Sequence, residues 1–178
     1  MTKLSDVTLP AAIPFKGRML SVKAAQTPFS FSRVNLREDV LQLSLSSIHD
    51  NSRAMAGHIV EQINTWLKSQ ARRAFCEEVE KQRQKFGFSY KSVAIKDTRS
   101  RWGSCSSRGN LNFSWRLIMA PDEVLNYVVT HETAHLSHLN HSSDFWNLVR
   151  ERCPDFRNAK SWLQKHGASL MNWELSVR

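Results

Sequence analysis

Four histidines and a glutamate fall within eleven positions of this 178-residue chain: His131-Glu132-Thr133-Ala134-His135, then His138 and His141. On a helix, residues four apart project from one face, so the imidazoles of His131 and His135 can reach a single ion, with Glu132 a little round the cylinder beside it. Two imidazoles and an adjacent carboxylate suit metal-assisted hydrolysis. Zinc is the ion such nitrogen donors favour, one per chain, and Glu132 takes the part of general base. A catalytic zinc needs a third protein ligand and an open fourth position. His141 is the first candidate, placed just past the helix end, with Asn140 able to adopt the left-handed turn that swings the chain back. Glu151 on the following helix is the carboxylate alternative, and Asp144 is a third. His138 would lie about 10 Å along the axis from His131, too far to close a tetrahedron, and is assigned to outer contacts or to the surface.

The elements that must carry these residues are legible in outline. Up to about Ser47 the chain alternates apolar and polar positions, as in Phe29 and Phe31 and in Leu41, Leu43 and Leu45, with Glu38-Asp39 at a hairpin turn. From Asn51 to Lys85 the positions Met55, Ile59, Ile63, Trp66, Leu67, Ala71, Ala74 and Phe75 mark one face of a long helix, capped by Asp50, Asn51 or Ser52 and stopped by Gly87. Tyr90 to Asp97 reads as a strand, Ser100 to Asn110 as a turn-rich stretch, and Leu111 to Ile118 as a further strand that could form an edge for an extended peptide. Pro121-Asp122-Glu123 opens the helix of the histidines, expected to run to about Leu139. Ser142 or Ser143 caps a last helix through Phe145, Trp146, Leu148 and Val149, ended by Pro154.

Composition narrows the class. Hydrophobic residues at 41% and charged residues at 23% are ordinary globular usage, which argues against disorder or a fibrous repeat. No stretch approaches a membrane span, and Met1 to Leu20 lacks the apolar run of a signal peptide, so a cytoplasmic location is the expectation. Cys76, Cys105 and Cys153 are widely spaced without a C-x-x-C pair, as expected of reduced thiols. The formal charge of +9 is concentrated between Arg53 and Arg116, where thirteen Lys or Arg meet five Asp or Glu. Such a region can attract nucleic acid or acidic peptides, or simply face solvent.

Several motifs together carry a resemblance: Arg101-Trp102-Gly103-Ser104-Cys105, Gly109-Asn110-Leu111-Asn112, Trp115-Arg116-Leu117-Ile118, Ala120-Pro121, His131-Glu132 with His135-Leu136, Asn140-His141-Ser142 and Phe145-Trp146. In these the chain resembles the YgjP-like metallopeptidase family, relatives of the SprT-like and WLM proteases. Thr133 departs from the leucine usual there. The resemblance implies an α+β fold with a minimal zincin-like core: a strand-rich segment over residues 1–50 packed on a 51–178 metallopeptidase domain with a long helix, a small antiparallel or mixed sheet and the H-E-x-x-H helix. It implies His141 as third ligand and a peptide or protein as substrate. For the group that stabilises the oxyanion, Tyr127, Arg101, Arg116 and His138 stand level, and Trp102, Trp115 and Trp146 are expected in the core. Two other functions compete: a nucleic-acid-associated SprT-like protease using the basic 53–116 region, and a non-enzymatic module in which zinc only stabilises the fold; hydrolysis of a non-peptide amide is a third.

Overall fold

Lys16 and Gly17 both take positive φ, 49° and 75°, the conformation of a two-residue hairpin turn whose twist suits the strands it joins. They connect β1 (Ala12–Phe15) to β2 (Arg18–Thr27). The computed structural model describes residues 7–28, 31–46, 52–175 and 177. A second antiparallel pair, β3 (Arg33–Arg37) and β4 (Val40–Ser46), turns at Glu38-Asp39 with Glu38 at φ 51°, the hairpin expected from the alternation. β2 and β4 then pair in parallel, giving the mixed order β1-β2-β4-β3. Asp39 fixes the register, since its carbonyl accepts from the Ser21 amide at 2.9 Å and its carboxylate meets Arg18 at 2.7 Å. One face carries Leu41, Leu43 and Leu45, all buried. Phe29, Ser47 and the expected caps Asp50 and Asn51 lie outside the described residues, as does the Ser52 side chain.

The long helix α1 spans Ser52–Phe86 and ends as its sequence suggested: Gly87, at φ 70°, donates its amide to the Arg83 carbonyl at 2.9 Å. Met55, Ile59, Ile63, Leu67, Ala71, Phe75 and Val79 are fully buried, one every four residues. Four residues advance about 400° round a helix of 3.6 per turn, so this buried line drifts instead of running straight. The chain divides into two compact units, 1–67 with 174–178, and 68–173, and α1 contributes to both. No described helix is long and apolar enough to cross a membrane.

In the second unit β5 (Ser92–Lys96) pairs in parallel with β7 (Asn110–Ser114), and β7 pairs antiparallel with β6 (Gly103–Cys105), in the order β5-β7-β6. Three expectations are corrected here. The turn-rich stretch contains a strand, β6, because Gly103 to Cys105 find partners in Phe113 to Leu111. The strand expected to reach Ile118 stops at Ser114 and continues as a 3-10 helix, Trp115–Met119, all of whose side chains are buried; Leu117-Ile118-Met119 breaks the alternation, and such a run fits a covered helical turn as well as a covered strand. And β7 is the central strand, so it offers no edge.

The motif helix α2 spans Asp122–Ala134, with Asp122 and Glu123 in its first turn. It stops five residues short of the expected Leu139. The Leu136 and Ser137 amides bond to the Thr133 and Ala134 carbonyls at 3.2 and 3.1 Å, tightening the last turn into i→i+3 geometry that closes the helix. These turns reverse the chain, and Asn140 does not adopt the left-handed conformation assigned to it: among the described residues other than glycine, positive φ occurs at Lys16 and Glu38. α3 (Ser143–Arg152) is capped by Ser142, whose Oγ accepts from the Phe145 amide at 3.4 Å. It is not the last helix, since α4 follows at Phe156–Met171. Its buried Phe156, Ala159, Gly167 and Leu170 follow a helical spacing that was present in the sequence.

A buried polar network locks α2 to α1. Gln82 Nε2 donates toward Thr130 Oγ1 at 3.0 Å and Glu78 Oε1 at 3.1 Å, and Gln82 Oε1 accepts from the Thr133 hydroxyl at 3.3 Å. Asn126 adds a bond to Glu78 at 2.6 Å. Thr133, unusual between the two motif histidines, is therefore half of a matched pair with Gln82. Truncating Gln82 to alanine removes its bonds to Thr130, Thr133 and Glu78 at once, and urea denaturation should show the Gln82→Ala protein about 2–3 kcal/mol less stable than wild type. A loss under about 0.5 kcal/mol, the scale of a neutral surface change, would contradict the role given to the network.

Candidate metal centre

His131 comes from the last full turn of α2, His135 from the residue that closes it, and His141 from the loop before α3. One nitrogen from each lies within 4.8 Å of the other two. His131 Nε2 faces His141 Nε2 at 3.0 Å. His135 Nδ1 lies 2.9 Å from the His138 carbonyl; a carbonyl only accepts, so the His135 proton sits on Nδ1 and its Nε2 keeps a free lone pair. His138 thus takes part through its backbone. Beneath the three rings stands Phe145, fully buried, with its centroid 4.9, 4.6 and 4.8 Å from those of His131, His135 and His141. The Ser142 cap that starts α3 therefore also sets the aromatic base on which the histidines rest. Trp146, one residue on, stacks against His141 at 5.8 Å.

Burial is the main influence on these groups. It holds His131 down at about 4, with His135, His141 and Lys160 adding to the effect, and it lowers His141 as well. Both imidazoles are neutral at pH 7, with lone pairs to give. Burial pushes Glu132 the other way, up to about 7, against the opposing field of Arg101. Its side chain is packed against Gly103 so closely that a Cβ there would lie 2.6 Å from Glu132 Cγ and 2.8 Å from Oε1. Such a distance is far inside contact, so any side chain at position 103 displaces this carboxylate.

A cavity of about 400 Å³ opens beside His131 and Glu132, bordered by Arg101, Gly103, Tyr127 and Lys160. Tyr127 is buried, its hydroxyl pushed up to about 12 mainly by burial and then by Cys153 and Glu132, so it stays a proton donor at neutral pH. Arg116 sits elsewhere: it is 2% exposed and engaged with Asp97. Trp102 borders the cavity as well and packs against Gly167 of α4, at 3.2 Å from where a Cβ would lie. Glu151 and Asp144 are exposed on α3 and stand outside the histidine cluster. Sequence reasoning missed Gly103, Phe145 as the support of the rings, and Lys160, whose helix was not anticipated.

The fold thus brings a helix-borne pair of imidazoles, a third from a loop and a buried carboxyl together on an α+β frame. The sequence matches the YgjP-like family, metallopeptidase domain, over residues 4–166, and the chain belongs to that family. Two solved structures are similar over part of it. The metallopeptidase zymogen of Pyrococcus abyssi abylysin shares 22% identity over 51% of this chain and 93% of its own, with a TM-score of 0.43. That of Methanocaldococcus jannaschii jannalysin shares 18% over 53% and 95%, with a TM-score of 0.38. No protein of curated function matches.

The raised Glu132 has a consequence for stability. In the metal-free fold its carboxyl holds a proton to about pH 7, whereas the unfolded chain releases it near 4.5. The stability it contributes is thus present below about 4.5 and is lost as pH rises through 7. Glu132→Gln cannot ionise, so chelator-treated variant should gain on chelator-treated wild type between pH 4.5 and pH 8, by about 2–3 kcal/mol. Urea unfolding at several pH values measures the gap, and a gap independent of pH contradicts the burial of this carboxyl.

Proposed function

We propose that the chain is a zinc peptidase in which His131, His135 and His141 hold one zinc ion and Glu132 is the general base. The observation that carries the reading is the convergence of three imidazoles beside a buried carboxyl packed against Gly103. The donor set fits the ion. Two nitrogens bound at about 2.0–2.1 Å in a tetrahedron stand about 3.3 Å apart, near the 3.0 Å between His131 and His141. Among the described residues the cluster contains three donors and no fourth His, Cys, Asp or Glu, which favours a catalytic over a closed structural site.

Zinc bound there supplies a Lewis acid that polarises a carbonyl and makes water a stronger acid. Glu132 takes a proton from the attacking water and returns it to the leaving amine, a shuttle suited to a carboxyl that titrates near neutrality. Tyr127, protonated and beside His131, donates a hydrogen bond to the oxygen on which negative charge develops. Since β7 is inside its sheet, the strand that lines up an extended peptide is β6, whose first residue, Gly103, lies against Glu132.

Two measurements test this reading. Purified protein should carry close to one zinc per chain, and competitive zinc titration should show His141→Ala weakened by orders of magnitude, with Glu151→Gln changed at most about 10-fold to 100-fold. The reverse ranking would transfer the third ligand to α3. In peptide hydrolysis, Glu132→Gln should abolish turnover while keeping the metal, and Gly103→Ala should lower kcat by about 10²-fold with metal content unchanged, because it displaces the base without touching a histidine. Wild-type turnover by Glu132→Gln would remove that residue from the mechanism.

A further inference from the structure

We propose that the cavity beside His131 and Glu132 is a subsite for a carboxylate of the substrate, selected by Arg101 and Lys160. This rests on the peptidase reading of the same centre and names the substrate chemistry it prefers.

Two cations reach the cavity from separate elements, Arg101 from the segment entering β6 and Lys160 from α4. Among the described residues neither side chain has a carboxylate partner. Lys160 is instead placed by an aromatic ring: its ammonium lies 4.7 Å from the centroid of Trp146, which itself stands 5.9 Å from His131 and stacks on His141. The field of Lys160 reaches both histidines, and that of Arg101 reaches Glu132, so both charges act on the reacting region. The one acid bordering the cavity is Glu132, 7% exposed and committed to the metal centre. Trp102, Val128 and Leu163 supply apolar wall. A pocket with apolar sides and two cations brought in from separate elements is complementary to an anion on a short aliphatic stem. That anion is a carboxylate, either of an Asp or Glu side chain or of a peptide C-terminus.

Both cations are solvent-exposed, so the preference is moderate and salt-dependent. The test uses zinc-loaded Glu132→Gln protein and calorimetric binding of two peptide pairs. One pair carries Glu or Gln next to the bond that wild type cleaves or, if it cleaves none, at the central position, with the C-terminus amidated. The other is a neutral sequence ending in a free acid or an amide. At low salt at least one carboxylate peptide should bind about ten-fold more tightly than its neutral counterpart, and the pair that responds identifies the source. Added salt should shrink the ratio. In the same background, Arg101→Gln with Lys160→Gln should bring it near one, and reversal of both residues to Glu should favour a Lys peptide. Equal binding within both pairs overturns the proposal, as does a preference that survives charge reversal. Failure of wild type to hydrolyse any of these peptides, with the binding preference intact, would remove the peptidase reading and leave the anion pocket standing.

Discussion

Two imidazole nitrogens aimed at each other across 3.0 Å repel when both are neutral and unprotonated, and a third lone pair nearby adds to the strain. The contact is favourable as an N–H···N bond when one ring carries its proton on Nε2, or with a cation held between the two lone pairs. Most of the second unit works to hold this arrangement. The Gln82 network fastens the back of α2, so His131 cannot rotate away, and the Ser142 cap fixes Phe145 under all three rings. The His138 carbonyl settles the His135 tautomer, leaving Nε2 with its lone pair.

The same burial that readies the histidines raises the carboxyl beside them. Desolvation makes His131 lose its proton easily, which suits a ligand, and makes Glu132 bind one more readily than an exposed carboxylate does, which suits the proton acceptor proposed here. The lack of a Cβ at residue 103 is part of this economy of space. A methyl there would push Glu132 out of its position, toward the cavity or the rings.

What could be read from the sequence divides along the range of the contacts. His131, Glu132 and His135 are set by the period of one helix, so their joint placement was legible, and Gly87 and Ser142 were legible as helix ends because capping is local. His141 was anticipated near the helix end, yet by the wrong turn: its return depends on the i→i+3 closure after Ala134 and not on a left-handed Asn140. Gly103 opposite Glu132 and Gly167 opposite Trp102 join residues 29 and 65 positions apart, which no window on the chain contains. The central place of β7 was hidden too, since alternation reports which side of a strand is covered and says nothing of strand order. α4 had the periodicity of a helix and was simply passed over after Pro154.

That omission matters to the proposed function, because α4 supplies a wall of the cavity beside His131 and Glu132. Without it Glu132 and Tyr127 would border open solvent, where a carboxyl and a phenol titrate near their ordinary values and a developing oxyanion is stabilised by water as well as by protein. With it, Leu163 and Lys160 border the cavity, and the ammonium is held over Trp146 beside the histidines. The H-E-x-x-H helix supplies atoms; the contact of Trp102 with Gly167 joins α4 to the segment that enters β6. The histidine cluster and its cavity therefore have separate origins in this chain, the first in the period of one helix and the second in a long-range packing contact, and a substitution at Gly167 can alter the cavity without touching a histidine.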